Sequence, residues 1–133
     1  MKEVQFGVKS GNAAEDTADP TLRKWLVGNF NNTVAPIPSK AVEVKYGTHQ
    51  MGEQRSEEQA TADKKYTSLG ILIQGRVSYW FKEEDGTTNQ VTVEKQGDYV
   101  IWGPGVLHWW AIEADNTVIL TFRFVEPAEQ SVA

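Results

Sequence analysis

The chain contains two histidines, and each lies where its side chain could support chemistry. His108 lies in "GPGVLHWW", just after a glycine-proline-glycine turn and directly before two tryptophans. A neutral imidazole at the wall of a pocket can bind a transition metal or act as a general base, whereas a core histidine makes only structural hydrogen bonds. His49 lies in the polar stretch "GTHQMGE", which we interpret as a loop. There it is either a ligand or a solvated side chain.

Composition limits the classes of function. The chain has 133 residues, no cysteine and a formal net charge of -5. Such a length fits one domain, and the lack of cysteine excludes thiol chemistry, disulfides and cysteine zinc sites. Because no basic cluster and no long apolar run is present, neither nucleic acid nor a membrane is an expected partner. The first residues lack a secretory pattern, so we expect a cytoplasmic protein.

Short strand-like segments follow one another from about residue 25 onwards. "AVEVKY" alternates apolar and polar residues, and "YTSLGILIQGRVSYWF" is rich in branched and aromatic residues. Turn signals such as Asp85-Gly86 separate the segments. About eight such strands predict an all-β fold of antiparallel sheets with little helix. We expect a polar N-terminal arm at 1–24, a single β-barrel domain at 25–126 and a C-terminal tail at 127–133.

The strand order and the turn before His108 resemble the cupin family over roughly residues 40–125. The second cupin motif runs glycine, five residues, proline, any residue, glycine, two residues, histidine. Gly97, Gly105 and His108 keep this spacing, and Pro104 lies one residue after the usual proline slot. The asparagine that the family places four residues after its histidine is Ile112 here. Within the family, the chain is similar to small stand-alone cupins of unassigned activity.

The first cupin motif matches less closely. His49 fits its second histidine and Glu53 its carboxylate, but Gly47 stands in the slot of the first histidine. When the motif is counted back from Gly75 instead, its glutamate slot is occupied by Ser68.

The resemblance implies a double-stranded β-helix, or jelly-roll barrel, in which His49 and His108 converge. Two imidazoles with a carboxylate form the donor set of a divalent transition-metal site, so Fe, Mn, Ni or Zn could be bound by His49, Glu53 and His108. The alternative for Glu53 is an exposed loop acid beside Arg55. No nucleotide cofactor is expected. The candidate ligand-pocket residues are Tyr46, Ser68, Leu72, Trp102 and Trp110.

Two functions follow as alternatives, and a purely structural or oligomeric cupin is a third, weaker one. In the first, the cupin-like barrel binds a small organic molecule and acts on it by metal-dependent oxygenase or isomerase chemistry at a two-histidine site. In the second, the protein is a non-catalytic, metal-free sensor or carrier whose pocket binds an acid or a sugar directly. Whether the chain is an enzyme is therefore open at this stage.

The alternation of the strand before His49 sets a condition on the site. Val42, Val44 and Tyr46 share one face of a regular strand, so His49 falls on the other face with Glu43 and Lys45. If His49 points inward, either these two charged residues also line the cavity or the strand is bulged near Gly47.

The tryptophan pair after His108 should divide between the two faces of its strand. Alternation places Trp110 beside His108 in the pocket and Trp109 on the opposite face. With Trp109 and Ile119 both expected on outward faces, the strands carry more apolar surface than one small barrel needs. We therefore expect a homodimer, the commonest soluble oligomer.

Overall fold

The structure, a computed structural model, describes residues 2–4, 7–30 and 33–125. The expected C-terminal tail at 127–133 lies outside the described residues. The described residues form these strands: β1 (Lys2–Val4), β2 (Val8–Ser10), β3 (Trp25–Val27), β4 (Asn29–Phe30), β5 (Thr33–Val34), β6 (Val42–His49), β7 (Gln54–Arg55), β8 (Thr67–Gln74), β9 (Val77–Lys82), β10 (Thr88–Val93), β11 (Tyr99–Trp102), β12 (Leu107–Ile112) and β13 (Thr117–Phe124).

In the described part of the chain, helix is confined to short pieces. One α-helical turn, α1, spans Ala13–Asp16, and single 3-10 turns span Pro20–Leu22 and Glu57–Gln59. Asn12 caps α1 by accepting a hydrogen bond from the backbone N–H of Glu15. No helix in the described part of the chain is long and apolar enough to cross a membrane.

Two antiparallel sheets form the body of the molecule. The larger has the strand order β11-β8-β13-β6-β3, and the smaller has the order β10-β9-β12-β7. β1 pairs with β2, and β4 pairs with β5, as separate two-stranded ribbons. The expected all-β fold of antiparallel sheets with little helix is therefore confirmed. The expected N-terminal arm contains β1, β2, α1 and a 3-10 turn before β3 joins the larger sheet.

The inner faces of the two sheets meet in one apolar core cluster. Leu72 of β8 and Val77 of β9 are almost fully buried there, together with Val93 of β10. Val100, Ile112 and Ile119 complete the cluster from three further strands, with the rings of Tyr79 and Phe81 beside them. Burying such side chains stabilises the fold by about 1.5–3 kcal/mol each.

From the sequence, Trp109 and Ile119 were both expected on outward faces, and the structure agrees for only one of them. Trp109 does lie on the face of β12 opposite the cavity, where it is buried and its ring stacks on that of Trp80 at a centroid distance of 6.4 Å. The expectation for Ile119 was wrong, because Ile119 is 5% exposed and belongs to the core cluster. β13 turns its odd-numbered residues inward, so its apolar even-numbered residues face outward.

Candidate functional site

A cavity of about 320 Å³ opens between the two sheets, next to the core cluster. This volume lies at the lower end of the range of about 300–1,000 Å³ that is usual for small-molecule sites. The charged and imidazole side chains in its wall are Lys45, His49, Arg55, Asp63, His108 and Arg123. The apolar and aromatic part of the wall includes Trp25, Tyr79, Trp102, Trp110, Ile112 and Ile119.

The pairing of β6 with β13 delivers the charged side chains to this wall. Each residue of β6 from Val42 to His49 has one partner in β13, without a shift of register. The strand is therefore not bulged at Gly47, and alternation turns Lys45 and His49 to the same side. Of the two arrangements that the sequence allowed, the first holds: Lys45 lines the cavity, and Glu43 lies buried on the same face.

His49 is the last residue of β6 and is 8% exposed, so the interpretation of its surroundings as a polar loop was wrong. Its Nδ1 lies 3.0 Å from Glu53 Oε1 and 3.3 Å from Lys24 Nζ. Because a carboxylate oxygen only accepts, the contact with Glu53 requires the proton on Nδ1, and in the neutral ring this leaves Nε2 unprotonated. The Lys24 ammonium, which can only donate, then lies close to Nδ1 without a hydrogen bond to it. Burial lowers the pKa of His49, and the Lys24 cation adds to this effect.

The ring of His49 fills the space above Gly47. A Cβ atom added at Gly47 would stand 2.8 Å from His49 Nε2, which is closer than real Cβ contacts come. The slot that the cupin resemblance assigns to a first histidine is thus empty of a side chain, and the ring of the second histidine leans into it. A histidine could replace Gly47 only if His49 moved.

His108 stands on β12, on the opposite sheet. Its Nδ1 lies 3.1 Å from the Val106 carbonyl oxygen, to which it donates, so its Nε2 is also unprotonated. Two backbone hydrogen bonds join it to Thr61, and its ring lies 4.7 Å from that of Trp102. Burial is the main cause that lowers the pKa of His108. The lowered pKa values favour the neutral form of both histidines at pH 7.

The structure brings two of the three candidate metal ligands to one cavity. His49 and His108 both line it, whereas the carboxylate of Glu53 lies outside the lining and is committed to His49 Nδ1 and the backbone N–H of Gln50. Among residues 7–30 and 33–125, no three His, Cys, Asp or Glu side chains are grouped so that they could hold a metal ion. The residues present do not fit the expected three-ligand centre.

Of the five candidate pocket residues, three line the cavity: Ser68, Trp102 and Trp110. Tyr46 does not, because it lies on the other face of β6, in a groove beside α1 that also includes Thr17. Leu72 does not line it either. Its side chain shares the inward face of β8 with Ser68, but it lies inside the core cluster and is fully buried.

Basic side chains give the cavity wall its charge. Lys45 Nζ lies 5.6 Å from the centre of the Trp25 ring, and the Arg123 guanidinium lies 5.3 Å from the same ring. Arg55 donates a hydrogen bond of 2.7 Å to Thr61 Oγ1. Neither Lys45 nor Arg55 has a carboxylate within ion-pair distance among the residues that the structure describes.

Arg123 differs from these two cations because it is paired. It forms a hydrogen-bonded ion pair with Asp63, and its Nε lies 3.5 Å from Glu43 Oε1. Glu43 is 2% exposed, and in the described part of the chain neither of its oxygens has a hydrogen-bond partner. Burial raises the pKa of Glu43, and Arg123 opposes that rise.

Four charged residues of the wall were not among the candidate site residues from the sequence, although strand alternation offered the first of them as one of two arrangements: Lys45, Arg55, Asp63 and Arg123. The alternation of β6 contained the signal for Lys45, since it shares a face with His49. Arg123 shares a face of β13 with Ile119 and could have been found once that face was placed inward. Arg55 and Asp63 belong to a polar segment without periodicity, and no pattern in it indicates which side chains turn inward.

No family model and no curated protein matches the sequence. Solved structures do match it. An oxalate decarboxylase variant from Bacillus subtilis superposes with a TM-score of 0.56 at 16% identity, covering 65% of this chain and 22% of that one. KdgF from Halomonas sp. gives a TM-score of 0.52 at 9% identity, covering 68% of this chain and 74% of that one.

A cupin superfamily protein from Desulfitobacterium hafniense gives a TM-score of 0.53 at 16% identity, covering 66% of this chain and 71% of that one. At such identities the likeness shows the fold alone. The two antiparallel sheets and the inward-facing His49 and His108 point to the same fold as these similar structures. The chain therefore has a cupin-like jelly-roll fold, as its second histidine motif indicated.

Proposed function

We propose that the protein binds a small organic anion in the cavity between its two sheets, through the carboxylate of that anion. The observation that carries the proposal is the pair of cations, Lys45 and Arg55, which line the cavity without a carboxylate partner in the described ranges. Both residues are half-buried, and a cation that is partly removed from water without a counterion is costly, so a bound carboxylate would supply the missing charge. The planar guanidinium of Arg55 suits a carboxylate held by two hydrogen bonds.

The rest of the wall favours an apolar or planar body on that anion. The Trp102 ring lies 4.7 Å from the His108 ring, and the Trp110 ring lies 5.5 Å from the His49 ring. Ile112 and Ile119 add aliphatic surface. Pockets of this kind bury the body of a ligand against apolar groups and orient it by a few polar ones. One of the similar structures, an oxalate decarboxylase from Lactobacillus farciminis, is described as a formate complex, so a protein of similar fold has been found with a small carboxylate.

A two-histidine metal centre is the second candidate for the same cavity. Both Nδ1 atoms donate to acceptors, to Glu53 and to the Val106 carbonyl, which leaves two unprotonated Nε2 atoms as metal-binding histidines require. A third donor is missing among the described residues, and the ammonium groups of Lys24 and Lys45 would repel a dication. Metal-free binding of an anion therefore ranks first.

Titration calorimetry with a matched pair of ligands tests the proposal. Benzoate and benzamide have the same size and ring, and only benzoate carries the charge, so we expect benzoate to bind at least about tenfold more tightly. Arg55→Gln should weaken benzoate binding by about tenfold or more, because it removes a charged hydrogen-bond donor. Lys95→Gln, which removes an equal charge from an exposed turn, is the control and should leave the affinity unchanged.

Equal affinity for benzoate and benzamide would contradict the proposal, as would an Arg55→Gln variant that binds as the wild type does. The same titrations run with EDTA and with added Zn²⁺ decide between the two candidates. Binding that persists in EDTA supports the metal-free site, and binding that appears only with metal supports the two-histidine centre.

A further inference from the structure

We propose that Lys45 is a nucleophilic amine that forms an imine with the carbonyl group of a 2-oxo acid bound in the cavity. This inference rests on the proposed function, because it assigns the carboxylate of the 2-oxo acid to Arg55. It adds a covalent step and a substrate class, namely compounds in which a carbonyl carbon is next to a carboxylate.

The fold holds Lys45 rigidly at the cavity wall. The residue lies in the middle of β6, paired with Thr121 of β13 on one side and with Trp25 of β3 on the other. Its Nζ lies over the ring of Trp25, which is itself 5% exposed. A lysine placed on a central strand and packed against an aromatic ring loses little freedom when it reacts, which is the condition for an oriented nucleophile.

The charges around Lys45 favour its neutral form. Burial, then Lys24, Arg55, Arg23 and Arg123, lower the pKa of the amine to about 8. The nearby carboxylates, Glu43 and Asp63, both lie against Arg123. With a pKa of about 8, about a tenth of the amine is unprotonated at pH 7, more than a hundredfold above an ordinary lysine. Catalytic imine-forming lysines are activated by this combination of burial and neighbouring cations.

The chemistry balances with groups already in the cavity. The lone pair of Nζ forms a bond to the carbonyl carbon, and the carbonyl π electrons move to oxygen, which takes a proton. The nitrogen loses one proton, which gives a carbinolamine. The hydroxyl group of the carbinolamine takes a second proton and leaves as water while the nitrogen lone pair forms the carbon–nitrogen double bond, and the iminium then loses its remaining N–H proton to give the imine. The unprotonated imidazoles of His49 and His108 line the same cavity and can take and return a proton. No oxidant, reductant or metal is needed.

Cyanoborohydride trapping tests the inference directly. The full chain is incubated with pyruvate and sodium cyanoborohydride at pH 7, which reduces the protonated imine to a stable secondary amine and leaves the free ketone largely intact. Intact mass spectrometry and peptide mapping then locate the adduct. We expect Lys45 to be labelled at least about tenfold more than any exposed lysine, since its free-amine fraction is so much larger. Lys45→Arg should abolish this labelling, and Lys95→Arg, at an exposed turn, should not change it.

Peptide mapping of the wild type gives the answer even if a Lys45 variant does not fold. Labelling spread evenly over exposed lysines, or absent, overturns the inference. Calorimetry with lactate, which has the carboxylate but no carbonyl, separates this failure from that of the proposed function. If lactate binds in an Arg55-dependent manner while pyruvate gives no adduct at Lys45, only the imine is wrong. If neither binds and no adduct forms, both proposals fail.

Discussion

In an ordinary sheet that packs on a protein core, the inward face is apolar and the outward face is polar. The β6–β13 pair has the opposite arrangement. Its inward residues are largely polar: Glu43, Lys45, His49, Thr121 and Arg123. Its outward residues are largely apolar: Val42, Val44, Tyr46, Leu120, Phe122 and Phe124. The outward side chains are half-buried, whereas the inward residues Glu43 and His49 are buried.

If the cavity binds a ligand as we propose, this inversion means that different parts of the fold serve stability and binding. The core cluster supplies the apolar burial, through Leu72, Val77, Val93 and their neighbours. The cavity wall gives up apolar packing and instead presents cations and imidazoles, at a cost in desolvation. An inward face of this kind is expected where charges are retained for a ligand and not for the stability of the fold.

Among substitutions on the inward face, we expect Arg123→Met to lower the free energy of unfolding the most. Arg123→Met leaves Glu43 buried without its cation and Asp63 without its partner, and we expect the free energy of unfolding to fall by about 1–3 kcal/mol. Glu43→Gln should change the free energy of unfolding little, because burial already disfavours the charged form of the Glu43 carboxylate. Urea denaturation of both single variants and of the double variant measures the coupling. If Arg123→Met is no less stable than the wild type, the ion pairs of Arg123 with Glu43 and Asp63 do not stabilise the fold.

A smaller effect of the inward face is a loss of stability in mild acid. The pKa values of His49 and His108 are both lowered from 6.5, so the folded protein binds fewer protons than the unfolded chain below that pH. The stability that the neutral rings contribute is present above pH 6.5 and is lost as the pH falls through their folded-state values. Thermal unfolding between pH 8 and pH 5 should therefore show a falling midpoint.

The matched comparison is the double variant His49→Asn and His108→Asn. Its midpoint should fall less steeply over the same range, because two of the groups that take up protons on unfolding are gone. The raised pKa of Glu43 acts in the opposite direction, since that carboxyl contributes stability at low pH that is lost as the pH rises, but it is present in both proteins. Parallel pH profiles would show that the two imidazoles do not contribute.

The sequence predicted the fold better than the site, for a physical reason. Strand alternation and the spacing of Gly97, Gly105 and His108 depend on local geometry, which a linear pattern records. Which face of β13 turns inward depends on its partners in β6 and β8. The apolar residues of its even-numbered face suggested a core, and the expectation that Ile119 faces outward was wrong for that reason. The contact between Glu53 and His49 Nδ1 depends on side-chain conformations, which the spacing of residues in the sequence does not determine.

The outward face gives the smallest expected effect on stability and tests the homodimer, which stays a prediction. Tyr99 and Ile101 of β11 are 66% and 54% exposed, and they lie beside Ile71 and Leu69 on the face that carries Leu120 and Phe122. A contiguous apolar surface of this kind is typical of an interface, and we propose that a second copy of the chain covers it.

Sedimentation at micromolar concentration should therefore show a dimer for the wild type, and Ile101→Lys should shift it towards monomer. Because Ile101 is exposed in the single chain, the substitution should change the stability of the monomer by less than about 0.5 kcal/mol. Val91→Lys, at an exposed apolar residue of β10 on the smaller sheet, is the matched control and should leave the dimer intact. A monomeric wild type would mean that the apolar outward face does not pair with a second copy. Only the polar inward face of the β6–β13 pair would then have a proposed role, as part of the cavity wall.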